Sequence, residues 1–122
     1  MGEGSAERGT RVRREVLGDA HVDRAEARRT AFNEEFQDFL TRYAWGEVWS
    51  RAGLDRRTRS CITIAMLTAL GREEELALHL RGALNNGVTR EEIVEVLLQA
   101  AVYCGMPAAN AAFRVAGEIV ES

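Results

Sequence analysis

A histidine set among leucines is the clearest candidate for acid–base chemistry in the chain. His79 lies in a stretch whose spacing predicts a helix, at the edge of an apolar stripe, with Glu75 one turn earlier on the same flank. An imidazole titrates near neutral pH and can give or take a proton. Gly82 beside it suggests that another helix or a ligand approaches the backbone there. On these residues alone, a core histidine bonded to a backbone carbonyl is slightly favoured over a catalytic one.

A second candidate group combines a carboxylate with an arginine. Glu47 stands between Trp45 and Trp49 in the sequence, and Arg51 follows it by four residues, so the two charged side chains could pair on one helical turn. This pattern fits a surface ion pair and a functional site equally well. Near the start of the chain, a solvated helix face is favoured over a site for Arg11, Arg13 and Arg14.

The basic residues exclude one class of chemistry. All 16 of them are arginine, so no lysine side chain can form the Schiff base that pyridoxal phosphate enzymes and imine-forming decarboxylases require. A GC-rich genome, in which arginine codons displace lysine codons, explains the bias, and the exclusion holds whatever its cause. Arginine binds carboxylates through a planar two-point fork, which favours an anionic substrate.

The sequence predicts neither a metal nor another cofactor. Carboxylate-bridged two-metal bundles place Glu and His three residues apart on two helices, whereas Glu75 and His79 are four apart, and His21 is the other histidine of the chain. Cys61 and Cys104 stand alone rather than in a Cys-x-x-Cys pair, so we expect reduced, buried thiols and no disulfide-exchange centre.

Composition limits the partners of the protein. With 122 residues and 46% hydrophobic residues the chain predicts one domain, and a net charge of −3 with a pI near 5.5 argues against nucleic-acid binding. The longest apolar run, residues 61–70, is too short to cross a bilayer, and residues 1–10 lack the apolar core of a signal peptide. We therefore expect a cytoplasmic protein whose partners are neither nucleic acid nor a membrane.

Hydrophobic periodicity predicts an all-α domain of five or six helices, with a flexible tail at residues 1–10 and the helical domain at residues 11–122. Residues 11–22 form an arm within this domain. The predicted elements after the arm are an amphipathic helix from Val22 to Tyr43, a short segment at 45–50, a helix after Asp55 ending at Leu70, the His79 helix ending at residues 85–87, a helix from Thr89 to about Tyr103, and a last helix from Ala108 to about Val120. The first of these has an apolar stripe at three- and four-residue steps, formed by Ala25, Phe32, Phe36, Phe39 and Leu40. The helix after Asp55 is apolar on nearly every face between Ile62 and Leu70 and should be central and buried.

Local signals mark the ends of these helices. Gly71 follows the helix that ends at Leu70, and Thr89 with Glu92 has the spacing of a capping box. Residues 104–107, with the sequence Cys-Gly-Met-Pro, should break the chain before the last helix.

Five strings together carry a resemblance that covers nearly all of the chain after about residue 8. They are residues 13–22 (RREVLGDAHV), 42–49 (RYAWGEVW), 53–60 (GLDRRTRS), 75–87 around His79, and 103–110 (YCGMPAAN). These strings resemble the carboxymuconolactone decarboxylase family, which lies in the AhpD-like superfamily. The thiol pair of the AhpD-like proteins is absent just before His79, where Arg72 and Glu75 stand. Two further departures are Ala52, where the resemblance predicts Pro, and Arg114, where it predicts His.

The resemblance implies a cofactor-free carboxy-lyase that converts 4-carboxymuconolactone, a dicarboxylate lactone, to 3-oxoadipate enol-lactone in the β-ketoadipate pathway of protocatechuate breakdown. His79 would donate the proton or stabilise the oxyanion, and Glu47 would orient it or relay the proton. Arg51 and Arg81 would bind substrate carboxylates, with His21 as a further substrate-binding candidate. The resemblance also implies a homo-oligomer, a hexamer, in which residues 11–22 lie on a neighbouring subunit.

Two alternatives stay open at this point. The chain could be a non-catalytic helical module that assembles with a partner, in which case His79 would be structural. It could also be an enzyme of the same superfamily that acts on another lactone or on a β-keto acid.

Overall fold

The computed structural model describes residues 3–121, and every regular element in that range is helical. The predicted all-α class is therefore confirmed, although the described residues form seven α-helices and one π-helical segment, slightly more than the five or six expected. The chain divides into two compact units, Met1–Asp55 and Arg56–Ser122, which are described separately below.

The N-terminal unit contains three α-helices and the π-helical segment. They are α1 (Ser5–Leu17), α2 (Asp19–Ala27), α3 (Glu34–Leu40) and, directly after α3, the π segment (Thr41–Trp49). Helix α1 packs mainly against the π segment and also contacts α2. A hydroxyl group at each end of the π segment donates to a backbone carbonyl four residues earlier. The Thr41 hydroxyl donates to the Gln37 carbonyl at 2.8 Å, and the Ser50 hydroxyl donates to the Gly46 carbonyl at 2.6 Å.

Two glycines allow α1 and the π segment to meet backbone to backbone. A Cβ on Gly9 would overlap the Thr41 carbonyl oxygen, and a Cβ on Gly46 would overlap the Ser5 carbonyl oxygen. Arg8 strengthens the crossing, because its Nε donates to the Gly46 carbonyl oxygen at 2.8 Å. Residues 5–10, which the sequence predicts as part of a flexible tail, thus lie in α1. The close approach of the two backbones explains why Gly9 is buried.

The predicted helix from Val22 to Tyr43 is wrong, because the chain is not helical between α2 and α3. Thr30 and Asn33 exchange hydrogen bonds there: the Thr30 N–H donates to Asn33 Oδ1 at 2.8 Å, and the Asn33 N–H donates to Thr30 Oγ1 at 3.3 Å. These side chains compete with the helical backbone bonds and start a new helix after Asn33. Phe32, at the centre of the predicted apolar stripe, is 99% exposed.

The C-terminal unit consists of four α-helices: α4 (Arg56–Leu70), α5 (Glu73–Asn85), α6 (Arg90–Cys104) and α7 (Met106–Val120). Its core is formed by aliphatic side chains from all four helices and the turn before α6, including Ile64, Leu76, Leu80, Ala83, Val88, Ile93, Leu97, Ala112, Val115 and Ala116. The helix ends predicted near residues 70, 85 and 105 are confirmed.

Helix α4 is not the fully buried central helix that its composition predicts. It contacts α5, α6 and α7, but Ser60, Ile64 and Thr68 are its buried residues, whereas Met66 and Leu70 are more than half exposed. One face of α4 is enough to cover the core of this unit. Of its other apolar side chains, Leu67 is partly buried against the core, whereas Ile62, Met66 and Leu70 are exposed.

The capping box at the start of α6 is confirmed. The Thr89 hydroxyl accepts from the Glu92 N–H, and the Glu92 carboxylate accepts from the Thr89 N–H at 2.9 Å. Arg57 on α4 fixes the same turn, since its Nε donates to the Gly87 carbonyl at 3.1 Å and its Nη2 bonds to Glu92. The bond from the Thr89 backbone, followed by the bond from Arg57, lowers the pKa of Glu92.

Within residues 3–121, no helix combines the length and the hydropathy that crossing a membrane requires.

The glycine contact between α1 and the π segment gives a stability test. We expect Gly46→Ala to lower the free energy of unfolding by about 1–3 kcal/mol, because the added methyl must push the two backbones apart. Gly117→Ala on α7 is the matched control, since a Cβ there meets nothing within 4 Å. The control should raise stability by roughly 0.5–1 kcal/mol, the usual gain from replacing a helical glycine. Urea unfolding followed by circular dichroism measures both, and equal stability of Gly46→Ala and the wild type would contradict the close crossing.

Candidate functional site

His79 lies on α5 at the border between the core and the surface. Leu76, Leu80 and Ala83 on the same helix are buried, as the predicted stripe requires, and Gly82 is buried with them. The His79 side chain is partly exposed, but its Nδ1 atom is enclosed. The surface that His79 exposes therefore belongs to other atoms of the residue.

Arg81, the predicted carboxylate ligand on the same helix, does not share the His79 face. It is exposed, and two residues along a helix place its side chain about 200° from that of His79. Within residues 3–121 it forms no ion pair. Helix α5 alone therefore does not bring these two residues together.

Glu47 lies on the π segment and pairs with a residue that the sequence did not suggest. Its Oε1 is 3.4 Å from Nη2 of Arg8 on α1, and more than half of the Glu47 side chain is exposed. Arg51, expected as its partner, lies just beyond the end of the segment and is exposed. Arg8 was missed because it is 39 residues away in a stretch predicted to be a tail.

The two tryptophans that flank Glu47 in sequence stack on each other. The ring centroids of Trp45 and Trp49 are 5.0 Å apart with an interplanar angle of 27°, and Trp45 is buried. Glu47 is thus not held between two indoles. Stacking of this kind stabilises the segment that carries the carboxylate.

His21, the other candidate histidine, lies on α2 and is partly exposed, next to the buried Val22. The five residues predicted for the site are therefore divided between the two units. His21, Glu47 and Arg51 belong to the N-terminal unit, and His79 and Arg81 belong to the C-terminal unit.

The prediction that Arg11, Arg13 and Arg14 lie on a solvated helix face is confirmed for Arg11 and Arg14 but wrong for Arg13. Arg11 and Arg14 reach solvent and pair with acidic residues, whereas Arg13 is only 6% exposed. Burial lowers the pKa of Arg13, because the charged guanidinium is removed from water. A signal was available in the sequence: position 13 belongs to the same helical face as buried Gly9, Val12 and Val16.

Arg114, which stands where the family resemblance predicts His, links two helices. Its Nη2 is 2.6 Å from Oε1 of Glu73, and this bond raises the pKa of Arg114 above its usual value. The pair ties α7 to the first turn of α5, the helix that carries His79. In this chain, Arg114 thus helps to set the position of α5.

The described residues contain no group of three or more His, Cys, Asp or Glu side chains suited to hold a metal ion. Neither Cys61 nor Cys104 is in a disulfide. Cys61 is partly buried, but the prediction that Cys104 is buried is wrong: it is exposed, because it is the last residue of α6, where the chain turns at Gly105.

The C-terminal unit has clefts of its own, and His79 does not line either of the two described below. One, of about 160 Å³, lies where α4 ends and α5 begins, with Arg72 and Glu73 at its edge. Another, of about 530 Å³, is apolar and lies between α6 and α7, lined in part by Leu98, Met106 and Phe113. The site is therefore assigned from the chemistry of its side chains rather than from the shape of a cavity.

Comparison with known proteins gives the family. The model of the carboxymuconolactone decarboxylase family matches residues 34–118, which is more than half of the chain and includes parts of both units. The chain belongs to this family. The matched range contains Glu47, Arg51, His79 and Arg81 but not His21.

Relatives extend the match toward the start of the chain. The chain is 55% identical over 111 residues to the 4-carboxymuconolactone decarboxylase of Acinetobacter baylyi, and the alignment covers 91% of this chain and 83% of that protein. It is 48% identical over 99 residues to a nitrosuccinic acid decarboxylase of Metarhizium robertsii, covering 81% of this chain and 69% of the relative. These results confirm the resemblance on which the sequence analysis relied.

Proposed function

We propose that this protein decarboxylates 4-carboxymuconolactone to 3-oxoadipate enol-lactone without a cofactor, as a step of protocatechuate breakdown. The observation that carries the proposal is the 55% identity, over 91% of the chain, to a protein named for this activity. The family match extends from one unit into the other, which supports treating residues 11–122 as one functional domain. A cytoplasmic location, with both thiols reduced, is part of the same proposal.

The reaction asks little of the protein beyond binding and proton transfer. When the carbon–carbon bond to the ring carboxylate breaks, carbon dioxide leaves and the electron pair moves through the ring double bond onto the lactone carbonyl oxygen. The resulting dienolate takes a proton on the carbon next to that carbonyl. The protein must bind two carboxylates, stabilise the oxyanion and deliver the proton, for which arginine and imidazole suffice.

His79 is the proposed proton donor or oxyanion partner. Its position supports this role, because a histidine that is partly exposed at the edge of the core can meet a substrate. Glu47 is the proposed orienting or relay group, and its contact with Arg8 at 3.4 Å and its exposed side chain support a polar role. Arg51, Arg81 and His21 are the proposed substrate-binding residues, since all three reach the surface of the chain.

The nitrosuccinic acid decarboxylase is a reason to test a second substrate. That relative is 48% identical to this chain, and its name also describes loss of a carboxyl group from a dicarboxylic acid. Parallel assays with the lactone and with nitrosuccinate separate the two activities. The higher identity and wider coverage of the lactone enzyme favour 4-carboxymuconolactone.

We expect purified protein to turn over 4-carboxymuconolactone after exhaustive chelation and dialysis. The reason is that the lactone supplies its own electron sink and the sequence offers only two histidines as metal ligands. Loss of lactone absorbance, together with carbon dioxide release, measures the activity. Turnover that disappears on chelation and returns with one added metal ion would end the cofactor-free proposal, and no turnover before chelation would leave the non-catalytic alternative.

We also expect a homo-oligomer, a hexamer by family resemblance. Large apolar side chains on the C-terminal unit lie on the surface of the chain, among them Met66, Leu70, Leu98, Val102, Tyr103 and Met106. An exposed apolar surface of this kind favours association. Sedimentation velocity at micromolar concentration tests this, and a monodisperse monomer would contradict it.

His79→Ala should lower kcat by about 10²–10⁴-fold while helicity and assembly stay nearly unchanged, because a partly exposed imidazole contributes more to proton transfer than to packing. Leu80→Ala is the matched control on the next position of α5. Since Leu80 is fully buried, that variant should lose about 2–5 kcal/mol of stability but keep its turnover per folded molecule. A His79→Ala protein that melts early yet turns over normally would make His79 structural and move the catalytic assignment to Glu47 and His21.

A further inference from the structure

Arg13 occupies a position on α1 that suits an apolar residue. Gly9, Val12, Val16 and Leu17, which share its helical face, are all buried. Arg13 is buried with them, and its Nε atom is enclosed. A charged side chain at such a position costs stability unless an opposite charge and hydrogen-bond acceptors compensate it.

The described residues do not provide that compensation. Within residues 3–121, Arg13 forms no ion pair, and its enclosed Nε has no acceptor. Glu26 is the carboxylate whose charge acts on it, but both oxygens of Glu26 are bound by Arg29, at 3.1 and 3.3 Å. The nearby charges of Arg14 and Arg29 add further positive potential.

The acidic residues close to α1 are similarly bound by other arginines. Asp19 and Asp23 both pair with Arg14, at 3.0 and 2.9 Å. Arg29 also holds Asp38, at 2.8 Å. These acids are therefore already paired with Arg14 or Arg29. Arg13 is left with a buried positive charge on a planar guanidinium, a group whose geometry suits a carboxylate.

We propose that Arg13 binds a carboxylate of the substrate, and this inference rests on the proposed function, which supplies a dicarboxylate ligand. The bound carboxylate provides the missing negative charge and the missing acceptors. Arg13 then joins Arg51, the proposed substrate-binding arginine of the same unit, with the difference that its side chain is already fixed by burial. A fixed guanidinium loses little conformational entropy when the ligand binds.

Arg13→Met tests the proposal, because methionine fills a similar volume without charge. We expect KM for the lactone to rise roughly 10–150-fold, the usual cost of losing a hydrogen-bonded charge on a ligand. The melting temperature should stay the same or rise, since replacing an uncompensated buried charge by an apolar side chain is neutral or stabilising. Arg13→Lys keeps the charge without the fork and should show a smaller rise in KM.

Arg14→Met is the matched control on the same helix. Arg14 is about one third exposed and already paired, so its replacement should leave KM unchanged. A wild-type KM in Arg13→Met would overturn the proposal. A large fall in melting temperature, with normal KM for the molecules that remain folded, would also overturn it and make Arg13 structural.

A binding measurement separates this proposal from the proposed function. Adipate, a stable dicarboxylate, should raise the melting temperature of the wild type and of Arg14→Met but not that of Arg13→Met. If the wild type fails to decarboxylate the lactone, the proposed function fails, while this difference in thermal shift still supports a carboxylate site at Arg13. Equal thermal shifts in all three proteins, or neither turnover nor a thermal shift in the wild type, would overturn the site.

Discussion

Burial of one stripe of α5 is the constraint on which the candidate chemistry depends. Leu76, Leu80 and Ala83 are almost completely enclosed, and together they fix the rotation of the helix about its axis. Once that rotation is fixed, His79 must lie at the border of the core and Arg81 must face away. The ion pair between Arg114 and Glu73 links the first turn of the helix to α7. The position of the imidazole thus follows from hydrophobic packing that contains no functional group.

Arginine is the strongly basic residue of this chain, and several arginines on the surface pair with carboxylates on other elements of structure. Examples are Arg8 with Glu47, Arg29 with Asp38, Arg57 with Glu92, and Arg114 with Glu73. Individual exposed pairs of this kind contribute little to stability. These pairs nevertheless occupy the carboxylates that Arg13 could otherwise have used. Arg13, the buried arginine of α1, therefore differs from them in having no ion-pair partner within residues 3–121.

Sequence patterns predicted the local features of the C-terminal unit well. The capping box of Thr89 and Glu92, and the glycines that follow α4 and α6, act through residues adjacent in the chain, so their signals are complete in a short window. The failures involve distant contacts. Gly9 looked like part of a tail because its partner, Thr41, is far away in sequence, and Arg13 looked solvated because charge was given more weight than its place among buried residues. The break before α3 was missed because the phenylalanine spacing outweighed the bonds between Thr30 and Asn33. Of the candidate site, the sequence supplied the residue types, while the partner of Glu47 and the burial of Arg13 required the three-dimensional structure.

The π segment also limits how this sequence can change in length. A helix with i→i+5 bonds accommodates more residues per turn than an α-helix, so the segment from Thr41 to Trp49 behaves like an α-helix that has absorbed an insertion. Deleting one residue there would restore the tighter α-helical winding, and the residues that follow the segment would keep their direction. What would be lost is the wider turn around Gly46, whose carbonyl accepts hydrogen bonds from Arg8 and Ser50. The local shape of this segment therefore depends on its length, whereas the direction of the chain after it does not.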